Sequence, residues 1–221
     1  MTTRALVLDF GGPVLLTIFE LVAADADSPA HALLHERGPF APADRPDPDW
    51  ADLQAGRITE RAYWAHRSEE WHAAGGAGGN IRALVAHLYE PARPELIRDR
   101  ARTLVRDAHE AGIPVGILTN DLRDFHSDSW IEKIDILGDI DVIVDGSVEG
   151  FLKPDPRLYE LLSERLDVAF GDMVFLDDQA TNIRGAEDLG IRSVLFDVTD
   201  PGSSYAQVRK LLGLAEEVGD G

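Results

Sequence analysis

The chain has 221 residues, of which 44% are hydrophobic, and it contains no cysteine. This length is sufficient for one substantial hydrophobic core and a smaller accessory domain, and the composition excludes disulfides, thiolate metal sites and a cysteine nucleophile. The formal net charge of -19 at pH 7 repels polyanions at long range. We therefore expect neither a nucleic acid nor a membrane surface as a partner.

The amino terminus leads directly into an apolar segment, Leu6–Phe10, that is too short to cross a membrane. No basic region precedes this segment, and no apolar run elsewhere approaches membrane-spanning length. We therefore expect a cytoplasmic protein. The sequence leaves open whether it is a monomer or a homodimer.

The stretch from Ala5 to Gly12 predicts a buried strand that ends on Asp9 and continues into a glycine turn. Glycines allow the backbone to turn sharply and to leave amide N–H groups free beside the carboxylate. Asp9 is therefore a candidate nucleophile. An aspartate in an ordinary strand-to-helix turn would produce the same local pattern.

Residues 15–93 carry apolar side chains at helical intervals and predict no strand. Start signals at Asp47 and Thr59 open two amphipathic helices, and a third is predicted at Ile81–Tyr89. We assign residues 15–93 to a small helical cap domain inserted after the first strand. Three tryptophans are expected in the core of this cap rather than on a substrate-binding face, namely Trp50, Trp64 and Trp71.

After residue 93, helices alternate with short apolar strands. The predicted strands are Ile113–Leu118, Ile140–Val144, Met173–Leu176 and Ser193–Phe196. This alternation is typical of a parallel sheet with helices on both faces. The sequence therefore predicts an α/β, Rossmann-like core domain formed by residues 1–14 and 94–221.

Polar side chains follow several of the predicted strands. In parallel α/β sheets, ligands bind beyond the carboxyl ends of the strands, so residues at these ends are candidates for one shared site. The candidates are Asp9, Thr119, Asn120, Lys153, Asp177 and Asp178. Transfer of a phosphoryl group to a carboxylate needs a nucleophilic carboxylate, acidic ligands for a divalent cation, and a hydroxyl and an ammonium for the phosphoryl oxygens. The candidate set contains all of these groups.

Four short segments in this order resemble the motifs of the haloacid dehalogenase (HAD) superfamily. They are Asp9-Phe10-Gly11-Gly12, Leu118-Thr119-Asn120, Lys153-Pro154 and Phe175-Leu176-Asp177-Asp178. The helical insertion directly after the first motif resembles the cap of the sugar-phosphatase-like branch. The resemblance implies a Mg²⁺-dependent hydrolase, most simply a phosphatase acting on a small phosphorylated metabolite through an aspartyl-phosphate on Asp9.

The resemblance also implies a set of metal ligands. Asp9 would be a Mg²⁺ ligand as well as the nucleophile, and the backbone carbonyl of Gly11 would be a further ligand. Asp177 and Asp178 would complete the metal site, directly or through water. Which of these two carboxylates contacts the metal is left open by the sequence.

The remaining matched residues would contact the substrate. Thr119 would hydrogen-bond a phosphoryl oxygen, and Lys153 would neutralise the nucleophile and the transferred group. Asn120 and Gly12 would help to bind the substrate. Asn120 also suits a turn at the end of a strand.

One position departs from the pattern of the superfamily. Its phosphatases usually carry a second aspartate two residues after the nucleophile, which protonates the leaving group and then activates water. Here that position is Gly11. General acid–base assistance typically contributes about 10²–10⁴ in rate, so we expect dependence on good leaving groups.

Two alternatives remain at this point. A 2-haloacid dehalogenase would use Asp9 on carbon, without a metal and without a proton donor for the halide. Asp177 and Asp178 disfavour it, because two further carboxylates beside Asp9 are costly unless a cation binds between them. A catalytically silent binding module would keep the fold, but it has no need for a nucleophile.

Overall fold

A computed structural model describes residues 4–24, 26–27 and 30–215. The predicted core-domain limits at residues 1–3 and 216–221 lie outside the described residues, as do positions 25, 28 and 29 of the predicted cap. The strands are β1 (Ala5–Leu8), β2 (Val115–Thr119), β3 (Val142–Asp145), β4 (Met173–Asp177) and β5 (Arg192–Leu195).

The helices that precede β2 are α1 (Ile18–Ala24), α2 (His31–Leu34), α3 (Pro48–Gln54), α4 (Glu60–Ala73), α5 (Ile81–Tyr89) and α6 (Asp99–Glu110). Those that follow it are α7 (Leu122–Phe125), α8 (Asp128–Ile131), α9 (Gly146–Glu149), α10 (Pro156–Leu166), α11 (Ala180–Asp188) and α12 (Pro201–Leu212). Short 3₁₀ turns lie at Gly38–Phe40, Pro94–Leu96, Asp135–Asp139 and Phe170–Asp172. Within the described chain, no helix combines the length and the apolar character needed to cross a membrane.

The five strands form one parallel sheet in the order β3-β2-β1-β4-β5. The predicted α/β, Rossmann-like fold is therefore confirmed. The first strand lies at the centre, where Leu8 pairs with Ile117 on one side and with Leu176 on the other. The chain order reverses at this strand, and such a reversal opens a crevice at the carboxyl ends of the strands.

The central strand is buried on both faces. Leu6 and Leu8 join the hydrophobic cluster covered by α6 and α12, whereas Ala5 and Val7 join the cluster covered by α10 and α11. Alternate side chains of a strand point to opposite faces, so both faces require apolar partners. The continuous apolar run that predicted β1 is thus a consequence of its central place.

The second strand begins later than the predicted Ile113. The Ile113 amide donates to the Ala108 carbonyl, at 2.9 Å, and so completes the end of α6. Pro114 has no amide hydrogen, but its carbonyl accepts from the Leu6 amide at 3.0 Å. Regular pairing with β1 therefore starts at Val115.

Among the described residues from 15 to 93 there are five helices and no strand, apart from isolated bridges made by Leu15. Trp71 is buried in the main hydrophobic cluster, together with α5. Trp50 and Trp64 are partly buried and pack against Phe19. The helical character of this segment agrees with its prediction, and its status as a separate cap domain stays a prediction.

A buried carboxylate joins α3 to α4. Asp47 is 3% exposed and accepts hydrogen bonds from the Gly38 amide at 3.0 Å and from the Tyr63 hydroxyl at 2.8 Å. It also caps α3 by accepting from the Asp49 and Trp50 amides. Burial alone would raise the pKa of Asp47, but these donors hold that pKa below its usual value.

We predict that Asp47→Asn lowers the free energy of unfolding by about 1–3 kcal/mol, because the amide group turns one acceptor into a donor that faces other donors. Urea denaturation measures this difference, with the exposed Asp44→Asn as the control. The folded-state pKa of Asp47 is lowered, so its contribution is present above the unfolded value and is lost as pH falls through the folded value. The difference between Asp47→Asn and wild type should therefore shrink in acid; a difference that grows in acid would contradict this account.

Candidate active site

Asp9 directly follows β1 and lies at the carboxyl end of the sheet. Its Oδ1 accepts a hydrogen bond from the Phe10 amide at 2.7 Å and lies 2.9 Å from the Lys153 ammonium. Burial raises the pKa of Asp9 to about 8, with Lys153 opposing this rise and Asp177 adding to it. The carboxylate therefore needs a second positive charge to be a stable anion near neutral pH.

Lys153 lies between two carboxylates. Its Nζ is 2.9 Å from Asp9 Oδ1 and 2.7 Å from Asp177 Oδ2, and its side chain is buried. Burial alone would lower the pKa of Lys153, but the charges of Asp177 and Asp9 raise it. The lysine is therefore a permanent cation beside the predicted nucleophile.

Asp177 ends β4 and is fully buried. Its Oδ1 accepts from the Gln179 amide at 2.7 Å and from the Asn182 side chain at 3.1 Å. Its Oδ2 accepts from Lys153 and again from Asn182. Both oxygens are thus engaged in holding the ammonium and the loop after β4.

Asp178 has a different environment from Asp177, because it lines the cavity above the sheet. Burial raises the pKa of Asp178 well above 3.8, and the charges of Asp177 and Asp9 add to this rise. Oxygens of these three aspartates lie within 4.8 Å of one another. When all three carboxyl groups are ionised, they outnumber the single ammonium, and hard oxygen donors of this kind fit a divalent cation such as Mg²⁺.

The glycine turn after Asp9 fits closely around the acidic loop. Gly12 has a φ of +80°, and a Cβ there would lie 3.0 Å from the Asp178 carboxyl group. The Gly12 amide donates to the Leu15 carbonyl at 3.0 Å. The sequence pattern had suggested free amides in this turn. The Gly12 amide is not free, because its hydrogen bond closes the turn.

The other predicted site residues also lie at this edge of the sheet. Thr119 and Asn120, at the end of β2, line the same cavity as Asp9 and Gly11. The Asn120 Oδ1 accepts from the Lys153 amide at 2.7 Å and so positions the lysine loop. The structure therefore brings the predicted residues together, while their roles in substrate and metal binding stay predictions.

An open cavity lies between this edge of the sheet and helices α1, α3, α4 and α5. Polar groups from the core lie at its floor. Its walls are largely apolar and are formed by Phe10, Leu15, Ile18, Phe19, Trp50, Trp64, Ile81, Val85, Tyr89, Leu122 and Phe125. Two of the tryptophans expected in the cap core, Trp50 and Trp64, therefore also face the site.

The model of the haloacid dehalogenase-like hydrolase family matches residues 3–190. The chain belongs to this family. It is 32% identical over 120 residues to a phosphatase of Mycobacterium tuberculosis, a match that covers 50% of this chain and 55% of that protein. The chain spans about half of that relative and smaller shares of larger relatives.

Solved structures of the HAD superfamily share the fold. A HAD phosphatase from Thermococcus onnurineus has a TM-score of 0.59 at 17% identity, and the match covers 97% of this chain and 100% of that one. A structure described as a dehalogenase also has a TM-score of 0.59, at 23% identity, covering 88% of this chain and 85% of that one. These neighbours do not distinguish the two chemistries, and the sugar-phosphatase-like branch stays a prediction.

Glu60 is a residue of this HAD-like hydrolase site that the sequence analysis missed. It is the first residue of α4 and lines the cavity together with Asp9 and Lys153. Burial raises the pKa of Glu60 to about 7, and the charge of Asp121 adds to the rise. A glutamate in the first turn of a helix is common because it interacts favourably with the helix dipole. The sequence therefore gave no signal that separated it from an ordinary helix start.

Polar contacts hold α3 and α4 against the site. Arg61 pairs with Asp121 and, at 2.7 Å, with Asp124. The Gln54 side-chain oxygen accepts from the Ala180 amide at 3.3 Å, next to the acidic loop. These contacts hold α3 and α4 at the edge of the sheet where Asp9 lies.

We predict that Lys153→Ala lowers turnover by at least about 10²–10³, the effect of removing one preorganised group that stabilises developing charge. The exposed Lys210→Ala on α12 should retain the wild-type rate. Steady-state kinetics on folded protein, checked by circular dichroism, gives the comparison. Equal rates for the two variants would refute a role for Lys153 in turnover.

Proposed function

We propose that the chain is a Mg²⁺-dependent phosphatase that hydrolyses small phosphomonoesters through an aspartyl-phosphate on Asp9. The observation that carries this proposal is the position of Asp178, a third carboxylate in the cluster of Asp9 and Asp177. A buried cluster of carboxyl groups is fully ionised near neutral pH only with a compensating cation. The phosphatase relative in Mycobacterium tuberculosis supports the same chemistry.

In this proposal Asp9 is the nucleophile, and Lys153 and Thr119 stabilise negative charge on the phosphoryl group. Asp9 attacks phosphorus, while the Lys153 ammonium, 2.9 Å from it, counters negative charge on the nucleophile and the phosphoryl group. Thr119 lies at the end of β2, and its hydroxyl would donate a hydrogen bond to a phosphoryl oxygen. When bound, Mg²⁺ would offset the charge of the phosphoryl oxygens and orient the group for in-line attack.

We infer that Asp178 is a direct ligand and that Asp177 acts indirectly. Both oxygens of Asp177 already accept hydrogen bonds from Lys153, Asn182 and the loop backbone. Asp178 instead lines the cavity, as do Asp9 and Gly11, the other two proposed ligands. The carbonyl of Gly11 would be the backbone ligand.

A 2-haloacid dehalogenase is the competing enzyme hypothesis. Its chemistry needs no cation, so it gives no reason to place Asp178 beside Asp9. A catalytically silent binding module is the competing hypothesis of another class, and it gives no reason to bury an ammonium against Asp9. Phosphate release, halide release from a 2-haloacid, and the absence of both distinguish the three hypotheses.

The cavity walls suggest the kind of phosphomonoester. Among the described residues that line the cavity, Lys153 is the one side chain with a full positive charge, and it is already paired with Asp9 and Asp177. Burial lowers the pKa of His126 to about 4, so this imidazole is neutral. A second anionic group on the substrate would find no partner in these walls. We therefore propose a monophosphate whose remaining part is uncharged and largely apolar.

We predict that excess chelator abolishes turnover and that Asp178→Asn weakens Mg²⁺ binding by at least about tenfold, because a hard anionic ligand is lost. Calorimetric titration of Mg²⁺ measures affinity independently of activity. The exposed Asp139→Asn is the matched control and should bind Mg²⁺ as wild type does. Full phosphatase turnover in chelator would contradict the proposal.

We predict that 2-phenylethyl phosphate has a kcat/KM at least about tenfold above that of glycerol 3-phosphate, since burying a phenyl group contributes roughly 25 cal/mol per Å². Both are primary alkyl phosphates, so their leaving groups are comparable. Ile81→Asn in the cavity wall should reduce this preference, whereas Val148→Asn, at a position 60% exposed, should leave it unchanged. A preference for glycerol 3-phosphate would contradict the apolar substrate class.

A further inference from the structure

We propose that Glu60 is the general acid of this site: it protonates the leaving oxygen and then, as a carboxylate, activates water. It would replace the aspartate that the phosphatases of the family usually carry where this chain has Gly11. The proposal rests on the phosphatase function proposed above. It assigns the acid–base step to the cap segment rather than to the core.

The position of Glu60 carries the proposal. It lines the cavity that contains Asp9, Thr119 and Lys153, but it enters that cavity from α4 rather than from a strand end. The charge of Glu60 helps to raise the pKa of Asp9 and of Asp178, so the carboxylates lie within electrostatic range. The phosphoryl group must bind at Asp9, so its ester oxygen points into the cavity towards the cap.

The other carboxyl groups that line the cavity already have a metal-binding role or an ion-pair partner. Asp9 and Asp178 belong to the proposed metal cluster, and Asp121 is paired with Arg61. Of the four carboxyl groups that line the cavity in the described chain, Glu60 alone has neither of these commitments. Trp64 lies one turn along α4 and lines the same cavity.

His126, the histidine that lines the cavity, is a poor proton donor. Its ring stacks on Trp130 with centroids 3.8 Å apart, and burial lowers its pKa to about 4. The imidazole therefore carries no proton to give at neutral pH. His66, on the other side of α4, pairs with Asp49 at 2.9 Å and does not line the cavity in the described structure.

The environment of Glu60 suits proton transfer in both directions. Burial and the negative charges of Asp121 and Asp177 raise its pKa to about 7, while Lys153 opposes the rise. Asp9 and Asp178 line the same cavity. A general acid with a pKa near the working pH is available in both protonation states.

The proposed reaction starts with a phosphomonoester bound beside Asp9. Asp9 forms a bond to phosphorus, the bond from phosphorus to the ester oxygen breaks, and that oxygen takes the proton of Glu60 to leave as an alcohol. Water then attacks the phosphorus of the aspartyl-phosphate and gives its proton to the Glu60 carboxylate. The products are the alcohol and inorganic phosphate, and both Asp9 and protonated Glu60 are regenerated.

We predict that Glu60→Gln lowers kcat for 2-phenylethyl phosphate by about 10²–10⁴ but lowers kcat for 4-nitrophenyl phosphate less than about tenfold, because only the alkoxide needs a proton. KM should change little for either substrate. Glu69→Gln, an exposed position on the same helix, is the control and should keep both rates. An equal loss on both substrates, or no loss on the alkyl ester, would overturn the proposal.

A second variant tests the role by rescue. A Cβ on Gly11 would meet no atom within 4 Å, so the turn accepts an aspartate there. In the Glu60→Gln background, Gly11→Asp should restore alkyl phosphate hydrolysis at least tenfold, while the aryl rate changes little. If the folded double variant shows no restoration, Glu60 has a structural role and does not donate the proton to the leaving group.

The same measurements separate this inference from the function on which it rests. If the wild-type protein with Mg²⁺ hydrolyses neither ester, the proposed phosphatase function is wrong. If it hydrolyses both but Glu60→Gln leaves their ratio unchanged, the phosphatase stands and the role of Glu60 is wrong. Glu60→Asp, which keeps the acid on a shorter side chain, should retain more alkyl activity than Glu60→Gln.

Discussion

The site depends on a buried charge arrangement at the carboxyl ends of β1 and β4. One ammonium, Lys153, lies between the carboxylates of Asp9 and Asp177, at 2.9 and 2.7 Å. Burying any of these charges without a partner would be strongly unfavourable, so the three side chains require one another. Two asparagine side chains hold these charges in place. Asn120 accepts a hydrogen bond from the Lys153 amide, and Asn182 donates one to Asp177. Asp178 then remains as the negative charge that a divalent cation would satisfy.

The central place of β1 explains why this arrangement can form. Its two neighbours deliver Thr119 and Asp177 to the edge where Asp9 lies, because parallel strands end on the same side of a sheet. The apolar layers on both faces fix the register of these strands. A shift of one residue would turn Asp9 or Asp177 into the apolar core, which makes the register and the site interdependent.

The cap segment contributes what the core lacks. The core holds the predicted nucleophile and the charged groups, whereas α4 carries Glu60, and α1, α3, α4 and α5 all contribute apolar wall residues. Arg61 pairs with Asp121 and Asp124 directly beside Glu60, so the contact that positions the helix also positions the carboxyl group. If the predicted cap moves away from the core, the proposed proton donor and these wall residues would leave together. On the proposed mechanism, hydrolysis of poor leaving groups would then depend on the closed arrangement, in keeping with the general use of closure to exclude water and complete a site.

The sequence by itself determined the α/β fold and the set of residues at the strand ends, because buried parallel strands leave a nearly continuous apolar pattern and their ends carry the polar groups. It also indicated the family, through short motifs whose spacing spans the chain. Tertiary structure alone separated Asp177, whose oxygens are engaged, from Asp178, which faces the cavity, since adjacent aspartates look the same in a sequence. Only the tertiary structure placed Glu60 in the same cavity as Asp9, because a first-turn glutamate is ordinary until packing brings its helix to the site. Local patterns record which residues are buried and which are polar, but the distances between groups far apart in the chain are decided by packing.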